Sequence, residues 1–130
     1  MPAVAVVIGF IDRINRGDVD ALAELMSDDH TLPVLDEPPL VGKAANIAAW
    51  RGYMSSYPNY IIYPHQLAES DGRVAVVGHT TGSHLGLPDE QERALTVIWI
   101  ALTSRGRLSL WRITEDTPQH REELGLRTDD

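Results

Sequence analysis

The spacing of apolar residues changes along the chain from a helical period to an extended one. In the first half, apolar residues recur three and four positions apart, which is the spacing of one face of a helix. The first such run is Val4, Val7, Ile8, Ile11 and Ile14. A second run follows Asp18, a good helix N-cap, and continues to Met26, and a third covers residues 43–54. The pattern therefore predicts three helices.

From Tyr60 onward the chain is rich in β-branched and aromatic residues, which favour strands. Glycine-containing turns at 70–73 and 104–107 predict two hairpins, and a longer polar link covers 85–92. The second half therefore predicts a four-stranded antiparallel meander. The segment 30–42 between the halves predicts one or two short edge strands. Helices followed by a meander indicate an α+β fold, with the helices packed on one face of the sheet.

Composition narrows the class of protein. The 130 residues fit one domain, and the net charge of −8 argues against nucleic-acid and anionic-membrane partners. The absence of cysteine excludes disulfides and thiolate metal sites. The apolar stretch 4–11 is too short to span a bilayer and is not preceded by basic residues. We therefore expect a cytoplasmic protein.

Three stretches carry a family resemblance: INRGDVDALAELMSDDHTL, VGKAANIAAW and GRLSLWRITEDTPQHREELGL. They resemble the SnoaL-like branch of the nuclear-transport-factor-2-like superfamily over nearly the whole chain. The resemblance implies a cystatin-like, cone-shaped α+β barrel, with three N-terminal helices packed on a curved antiparallel sheet around an inner pocket. It also implies a homodimer through the outer sheet face. We expect one SnoaL-like domain over residues 1–126 and a mobile tail at 127–130.

Relatives in this superfamily include ketosteroid isomerases, limonene-type epoxide hydrolases, scytalone dehydratases and polyketide cyclases. The general-base aspartate of the isomerases falls nearest Val34, their oxyanion-hole tyrosine falls at Phe10, and their oxyanion-hole aspartate falls near Ile98. The epoxide hydrolases carry an aspartate directly after a Trp-Arg pair, where this chain has Ile113. The resemblance thus implies that both known carboxylate sets are lost, which disfavours either standard activity.

Histidines and carboxylates supply the candidate chemistry. His79 and His84 lie five residues apart, so an extended strand places them on opposite faces, where they cannot share a metal ion. We expect no metal or cofactor. His84 is predicted at the mouth of the cone, and Asp36 and Glu115 are predicted to face inward by alternation, so these three residues are the candidate acids or bases. His30 is predicted in a solvated turn.

A largely apolar pocket is predicted inside the cone. Its candidate ligand-binding residues are Trp50, Tyr53, Val34, Val76, Ile98, Trp111 and Ile113. Such a lining suits a small, mostly apolar molecule. Three hypotheses stay open: a cofactor-independent cyclase, isomerase or lyase, a non-catalytic binding module, and a dimeric structural module.

The segment 95–102 is apolar at both strand parities, so both of its faces must be covered. With Ile98, Ile100 and Leu102 facing the cone, Trp99 lies on the outer face with Leu95, Val97 and Ala101. A contiguous apolar patch of this kind predicts a two-fold homodimer, sheet against sheet, with Trp99 near its centre.

Overall fold

The structure, a computed structural model, describes residues 2–33 and 38–128. The helices of this part of the chain are α1 (Ala3–Arg16), α2 (Val19–Glu24), α3 (Lys43–Ser56), α4 (Asp89–Glu92) and α5 (Pro118–Leu124). Its strands are β1 (Met26–Leu32), β2 (Leu40–Val41), β3 (Ile61–Ser70), β4 (Arg73–Thr81), β5 (Val97–Ser104) and β6 (Arg107–Glu115). The three predicted N-terminal helices are confirmed, and α4 adds a short turn of helix inside the predicted polar link.

The six strands form one curved sheet in the order β2-β1-β6-β5-β4-β3. Strands β3 to β6 are the predicted antiparallel meander. Strand β1 runs parallel to β6, so the sheet is mixed rather than purely antiparallel. Helices on one face of a curved sheet confirm the α+β fold class expected from the sequence.

Two tight turns close the hairpins of the meander. Asp71 and Gly72 have φ of 50° and 83°, and Arg105 and Gly106 have φ of 54° and 77°. Two successive residues with positive φ form the turn whose twist matches that of paired strands. Both predicted hairpins are therefore confirmed, and in each turn a non-glycine residue shares the left-handed conformation with the glycine.

Helices α1 to α3 cover one face of the sheet, here called the inner face. Val74, Val76, Trp99 and Trp111 project from β4, β5 and β6 on this face and are at most 3% exposed. The helices contribute Val6, Val7, Phe10, Ile11, Ile14, Val19, Leu22 and Trp50 to the same core. This core holds the helices against the sheet and forms the floor of the cone.

The predicted orientation of β5 is wrong. Trp99 pairs with Val76 and Ile113 and packs in the inner core, whereas Ile98 lies on the opposite face with Val77 and Leu126. Because β5 is apolar at both parities, its sequence does not specify which set of residues faces the helices. A dimer centred on Trp99 is therefore also wrong, because that side chain is 2% exposed and lies inside the cone.

The C-terminal segment covers part of the outer face. The side chains of Asp116 and Arg121 are 8% and 10% exposed and form an ion pair at 2.7 Å. The backbone N–H of Arg127 donates to the side chain of Gln66 on β3 at 2.9 Å. Leu126, 5% exposed, packs on the outer-face cluster. The chain itself therefore covers part of the outer face of the sheet, where a second copy was expected from the sequence.

Strand β1 begins earlier than the sequence predicted. Met26, expected on the stripe of α2, is the first residue of β1 and is fully buried. His30, expected in a solvated turn, is 1% exposed and lies in the same strand. The backbone N–H of Leu108 donates to Leu25 at 2.7 Å, so the chain leaves α2 directly alongside β6. Pairing with β6 thus draws this polar segment into the sheet, which local pattern does not predict.

Candidate functional site

An apolar cavity of about 260 Å³ lies between α3 and the inner face of the sheet. Its walls are Leu32, Ala49, Trp50, Tyr53, Tyr60, His84, Trp99, Trp111 and Ile113. The chain has three tryptophans, and all of them line this cavity. Trp99 and Trp111 are stacked, with ring centroids 6.2 Å apart and planes at 17°, so they form a continuous aromatic wall.

The polar groups of the cavity are concentrated near Tyr53 and His84. The hydroxyl of Tyr53 lies 2.8 Å from Nδ1 of His84 and accepts the backbone N–H of His84 at 3.2 Å. Helix α3 supplies Tyr53, and the loop after β4 supplies His84, which is exposed. The two side chains, here called the Tyr53–His84 pair, therefore join a polar, solvent-accessible edge to the apolar interior.

The electrostatics of this pair keep the hydroxyl protonated. Burial raises the pKa of Tyr53, and the N–H from His84 offsets only part of that effect. The hydroxyl can donate its proton to Nδ1 of His84. When Nδ1 carries a proton instead, the imidazole donates to the hydroxyl oxygen, and the O–H is free to turn toward a molecule in the cavity. The direction in which the Tyr53 hydroxyl donates therefore depends on which ring nitrogen of His84 carries the proton.

A second hydroxyl lies beside the first. The ring of Tyr60 packs edge-on against Tyr53, with centroids 5.0 Å apart. Burial raises the pKa of Tyr60 strongly, and the neighbouring Tyr53 adds to this effect. No group in the described part of the chain hydrogen-bonds the Tyr60 hydroxyl. It is therefore a second neutral donor available to a ligand of the cavity.

The loop that presents His84 is held by a buried carboxylate. Glu92, in α4, is 1% exposed and accepts hydrogen bonds from the hydroxyl of Thr80 and, at 3.4 Å, from the backbone N–H of Ser83. Burial alone would raise the pKa of Glu92, but these hydrogen bonds and the nearby His84 outweigh it and lower that pKa. Glu92 is therefore an anion next to the cavity. Its burial is not evident from the sequence, because a glutamate in a polar link resembles an exposed residue.

Several predicted site residues lie together. Trp50, Tyr53, Trp111 and Ile113 line the cavity, and so does His84 at its exposed edge. His84 reaches the cavity from a loop, since β4 ends at Thr81 and does not continue as the sequence suggested.

Other predicted site residues lie elsewhere. Val76 is buried in the inner core but does not line the cavity, and Ile98 lies on the outer face, which contradicts its predicted inward orientation. Glu115 is exposed at the end of β6 and is not among the lining residues. Val34 and Asp36 lie outside the described residues.

His79 belongs to a separate cluster on the outer face, together with His65 and Tyr63. Nδ1 of His79 lies 2.8 Å from Nε2 of His65, and its ring stacks on Tyr63 with centroids 4.6 Å apart. His79 and His84 are thus directed to different surroundings, although His84 lies in a loop beyond the end of β4 and not on the extended strand expected from the sequence. Within residues 2–33 and 38–128, no three His, Asp or Glu side chains are grouped as a metal site would require.

His30 is a buried titratable group that lies beside the core residue Phe10. Its Nδ1–H donates to the carbonyl of Leu108 at 2.8 Å, and its ring centroid lies 5.9 Å from that of Phe10. Its Nε2 is buried without a hydrogen-bond partner in the described part of the chain. Burial lowers the pKa of His30, which favours the neutral ring with a free lone pair on Nε2.

Helices packed on a curved mixed sheet around an aromatic-walled cavity define a cone-shaped α+β protein with an internal pocket. Within that class, the SnoaL-like domain family matches residues 7–111, and the chain belongs to this family of the nuclear-transport-factor-2-like superfamily. The resemblance seen in the sequence is therefore confirmed. No curated protein matches the sequence.

Solved structures with the same fold include proteins with and without a described activity. An uncharacterized cystatin-fold protein from Novosphingobium aromaticivorans has a TM-score of 0.75 at 16% identity, covering 88% of this chain and 99% of that one. A putative polyketide cyclase from Sinorhizobium meliloti has a TM-score of 0.71 at 18% identity, with coverages of 88% and 100%. An LEH-like epoxide hydrolase from M. tuberculosis has a TM-score of 0.67 at 16% identity, with coverages of 94% and 88%. At these identities the similarity establishes the shared fold.

In the described part of the chain, no helix combines the length and apolarity needed to cross a membrane.

Proposed function

We propose that the protein binds a small, mostly apolar carbonyl compound in the aromatic cavity and polarises its carbonyl oxygen with the Tyr53–His84 pair. The observation that carries this proposal is the division of the cavity into an interior walled by Trp50, Trp99 and Trp111 and a polar edge formed by one hydroxyl–imidazole pair. A pocket of this kind fixes a ligand through apolar contact and orients it through few polar contacts.

The chemistry that follows is cofactor-independent acid–base catalysis of the isomerase, cyclase or lyase type. The Tyr53 hydroxyl donates a hydrogen bond to the carbonyl oxygen, while Nδ1–H of His84 donates to the hydroxyl and supports the charge that develops. A base must take the proton next to the carbonyl, and the candidate carboxylates from the sequence are Asp36 and Glu115, of which Glu115 does not line the cavity. The similarity in fold to a putative polyketide cyclase and an epoxide hydrolase supports a small-molecule pocket.

Isothermal titration calorimetry with two matched probes tests the binding step. 1-Indanone and indane share a bicyclic skeleton, and 1-indanone adds one carbonyl oxygen. We expect 1-indanone to bind about fivefold more tightly than indane, because one ordinary hydrogen bond changes the affinity by about this factor. Tyr53→Phe should reduce this preference, with the Tyr60 hydroxyl left as the remaining donor, and should leave indane binding unchanged, because it removes only one hydroxyl.

Tyr63→Phe is the matched control, because Tyr63 lies on the outer face against His79. It should retain the full preference for 1-indanone. Quenching of tryptophan fluorescence by 1-indanone would indicate that the probe binds in the cavity, since every tryptophan of the chain lines it. Equal affinity of the wild-type protein for the two probes would contradict the proposal.

A non-catalytic binding module is the second candidate, because no carboxylate in the described part of the chain lines the cavity. Deuterium exchange separates the two functions. If the pair assists proton removal, the protein should accelerate incorporation of deuterium next to the carbonyl of bound 1-indanone, as followed by NMR, and Tyr53→Phe should remove the acceleration. Tight binding without accelerated exchange would favour the binding module.

A further inference from the structure

Glu92 is a buried carboxylate in helix α4. It is 1% exposed, and none of the described arginine or lysine side chains forms a salt bridge with it. A buried charge is costly unless hydrogen bonds and neighbouring charges compensate for it. Polar groups retained at such a cost often belong to functional sites, so the surroundings of Glu92 indicate what it does.

All the hydrogen-bond donors to this carboxylate come from the segment that leads to His84. The Thr80 hydroxyl lies near the end of β4, and the Ser83 N–H directly precedes His84. Between them, Gly82 turns the chain with φ of 70° so closely against Asn59 that a Cβ would lie 2.7 Å from the carbonyl carbon of that residue. The carboxylate therefore fixes the loop on both sides of this turn.

The same loop ends at the Tyr53–His84 pair. The backbone N–H and Nδ1 of His84 both meet the Tyr53 hydroxyl, so the position of the loop backbone determines whether the pair forms. His84 is exposed and has no other hydrogen bond in the described part of the chain. Without Glu92, the exposed loop has no comparable attachment to α4 at Ser83.

We infer that Glu92 is a positioning residue, which tethers the loop of residues 82–86 through Thr80 and Ser83 and thereby holds His84 against the Tyr53 hydroxyl. Side chains that touch a ligand act best when a second set of hydrogen bonds fixes their geometry. The inference deepens and rests on the proposed function of the Tyr53–His84 pair, because it assigns the residue that keeps the pair formed. It makes the short helix α4 a functional part of the cavity edge.

Glu92→Gln tests this inference at nearly constant side-chain volume. An amide cannot accept two hydrogen bonds in the same way and carries no charge, so the loop should lose its tether. We expect the nuclear Overhauser effect between the rings of Tyr53 and His84 to disappear and the roughly fivefold preference for 1-indanone over indane to weaken, because the Tyr53 hydroxyl remains but loses its support from His84. Glu90→Gln is the control, because Glu90 is an exposed acid of the same helix.

Substitutions at Thr80 provide an independent test if Glu92→Gln does not fold. Thr80→Val removes the hydroxyl and keeps the shape, and Thr80→Ser keeps the hydroxyl. We expect Thr80→Val to weaken the ring contact and the probe preference, and Thr80→Ser to restore both. A purely structural role would change the stability of these variants without separating the valine variant from the serine variant in the preference.

The outcomes distinguish the two proposals. Persistence of the Tyr53–His84 ring contact in folded Glu92→Gln, or in Thr80→Val, would overturn the role of Glu92 whatever the probes do. If the contact is lost as expected but the wild-type protein shows no preference for 1-indanone, the positioning role stands and the proposed function fails.

Discussion

At the scale of single residues, His30 shows how strongly the fold changes the environment of a side chain. Its Nδ1–H donates to Leu108, its Nε2 has no partner in the described part of the chain, and its side chain lies against Phe10 in the core. Burial lowers its pKa below the ordinary histidine value of 6.5, so the folded protein favours the neutral ring. In the unfolded chain the ring takes up a proton more readily.

The stability of the protein should therefore depend on pH below about 6.5. As pH falls below that value, the unfolded state binds a proton before the folded state does, so the free energy of unfolding decreases. Urea unfolding should show a smaller decrease in His30→Asn, whose amide can replace the Nδ1–H donor without titrating. His79, whose pKa burial and His65 also lower, remains in both proteins. An equal decrease in wild type and His30→Asn would contradict this role.

The sequence could not predict the burial of His30. The stretch SDDHT is polar and resembles a turn, and no local pattern indicates that β6 will pair with it. Tyr53 and Trp50 were predictable as pocket residues, because the three-residue spacing on a helix places them on neighbouring faces. The role of Glu92 was not predictable, because the groups that donate hydrogen bonds to its carboxylate belong to β4 and the loop after it.

At the scale of elements, α5 is attached to the end of β6 by an ion pair between Arg121 and Asp116. Both side chains are about a tenth exposed, and the hydrogen bond from Arg121 lowers the pKa of Asp116. Thr96 also donates to Asp116 at 2.6 Å. This pair joins α5 to the end of β6 and directs Leu126 onto the outer face.

Arg121→Leu should destabilise the protein by about 3 kcal/mol, because it leaves the Asp116 carboxylate buried without its cation. Arg112→Leu, at an exposed position of β6, should cost less than about 0.5 kcal/mol. Thermal unfolding of the two variants measures the difference. Equal melting temperatures would contradict the stabilising role of the Arg121–Asp116 pair.

The hairpins were predictable from the sequence, whereas the orientation of β5 was not. Gly72 and Gly106 mark turns that need positive φ, and Pro64 marks the point where the pairing of β3 with β4 shifts at a bulge. In contrast, β5 offers an apolar residue at every position of 97–102, so only the complete arrangement of helices and α5 decides which side chains face inward.

At the scale of the whole molecule, the two apolar faces of the sheet are covered in different ways. Helices α1 to α3 cover the inner face around Trp99, and α5 with Leu126 covers part of the outer face. A homodimer through the outer face stays a prediction, and any such contact would involve residues such as Leu102, which is 40% exposed.

Trp99→Ala should therefore destabilise the fold itself, by about 3–5 kcal/mol, as for other large side chains removed from a core. Leu102→Ala, on the outer face of the same strand, should cost less than about 1 kcal/mol. Chemical denaturation measures both values, and sedimentation velocity should show no change of assembly state that is specific to Trp99→Ala. A stable Trp99→Ala protein that differs only in assembly state would contradict the inner position of the ring.

A crystal structure with 1-indanone tests whether the aromatic cavity binds a carbonyl compound with its oxygen at the Tyr53–His84 pair. We expect the bicyclic ring to lie against Trp99 and Trp111, with its oxygen about 3 Å from the Tyr53 hydroxyl oxygen. A cavity filled by its own side chains, or 1-indanone bound with its oxygen away from Tyr53, would contradict this expectation.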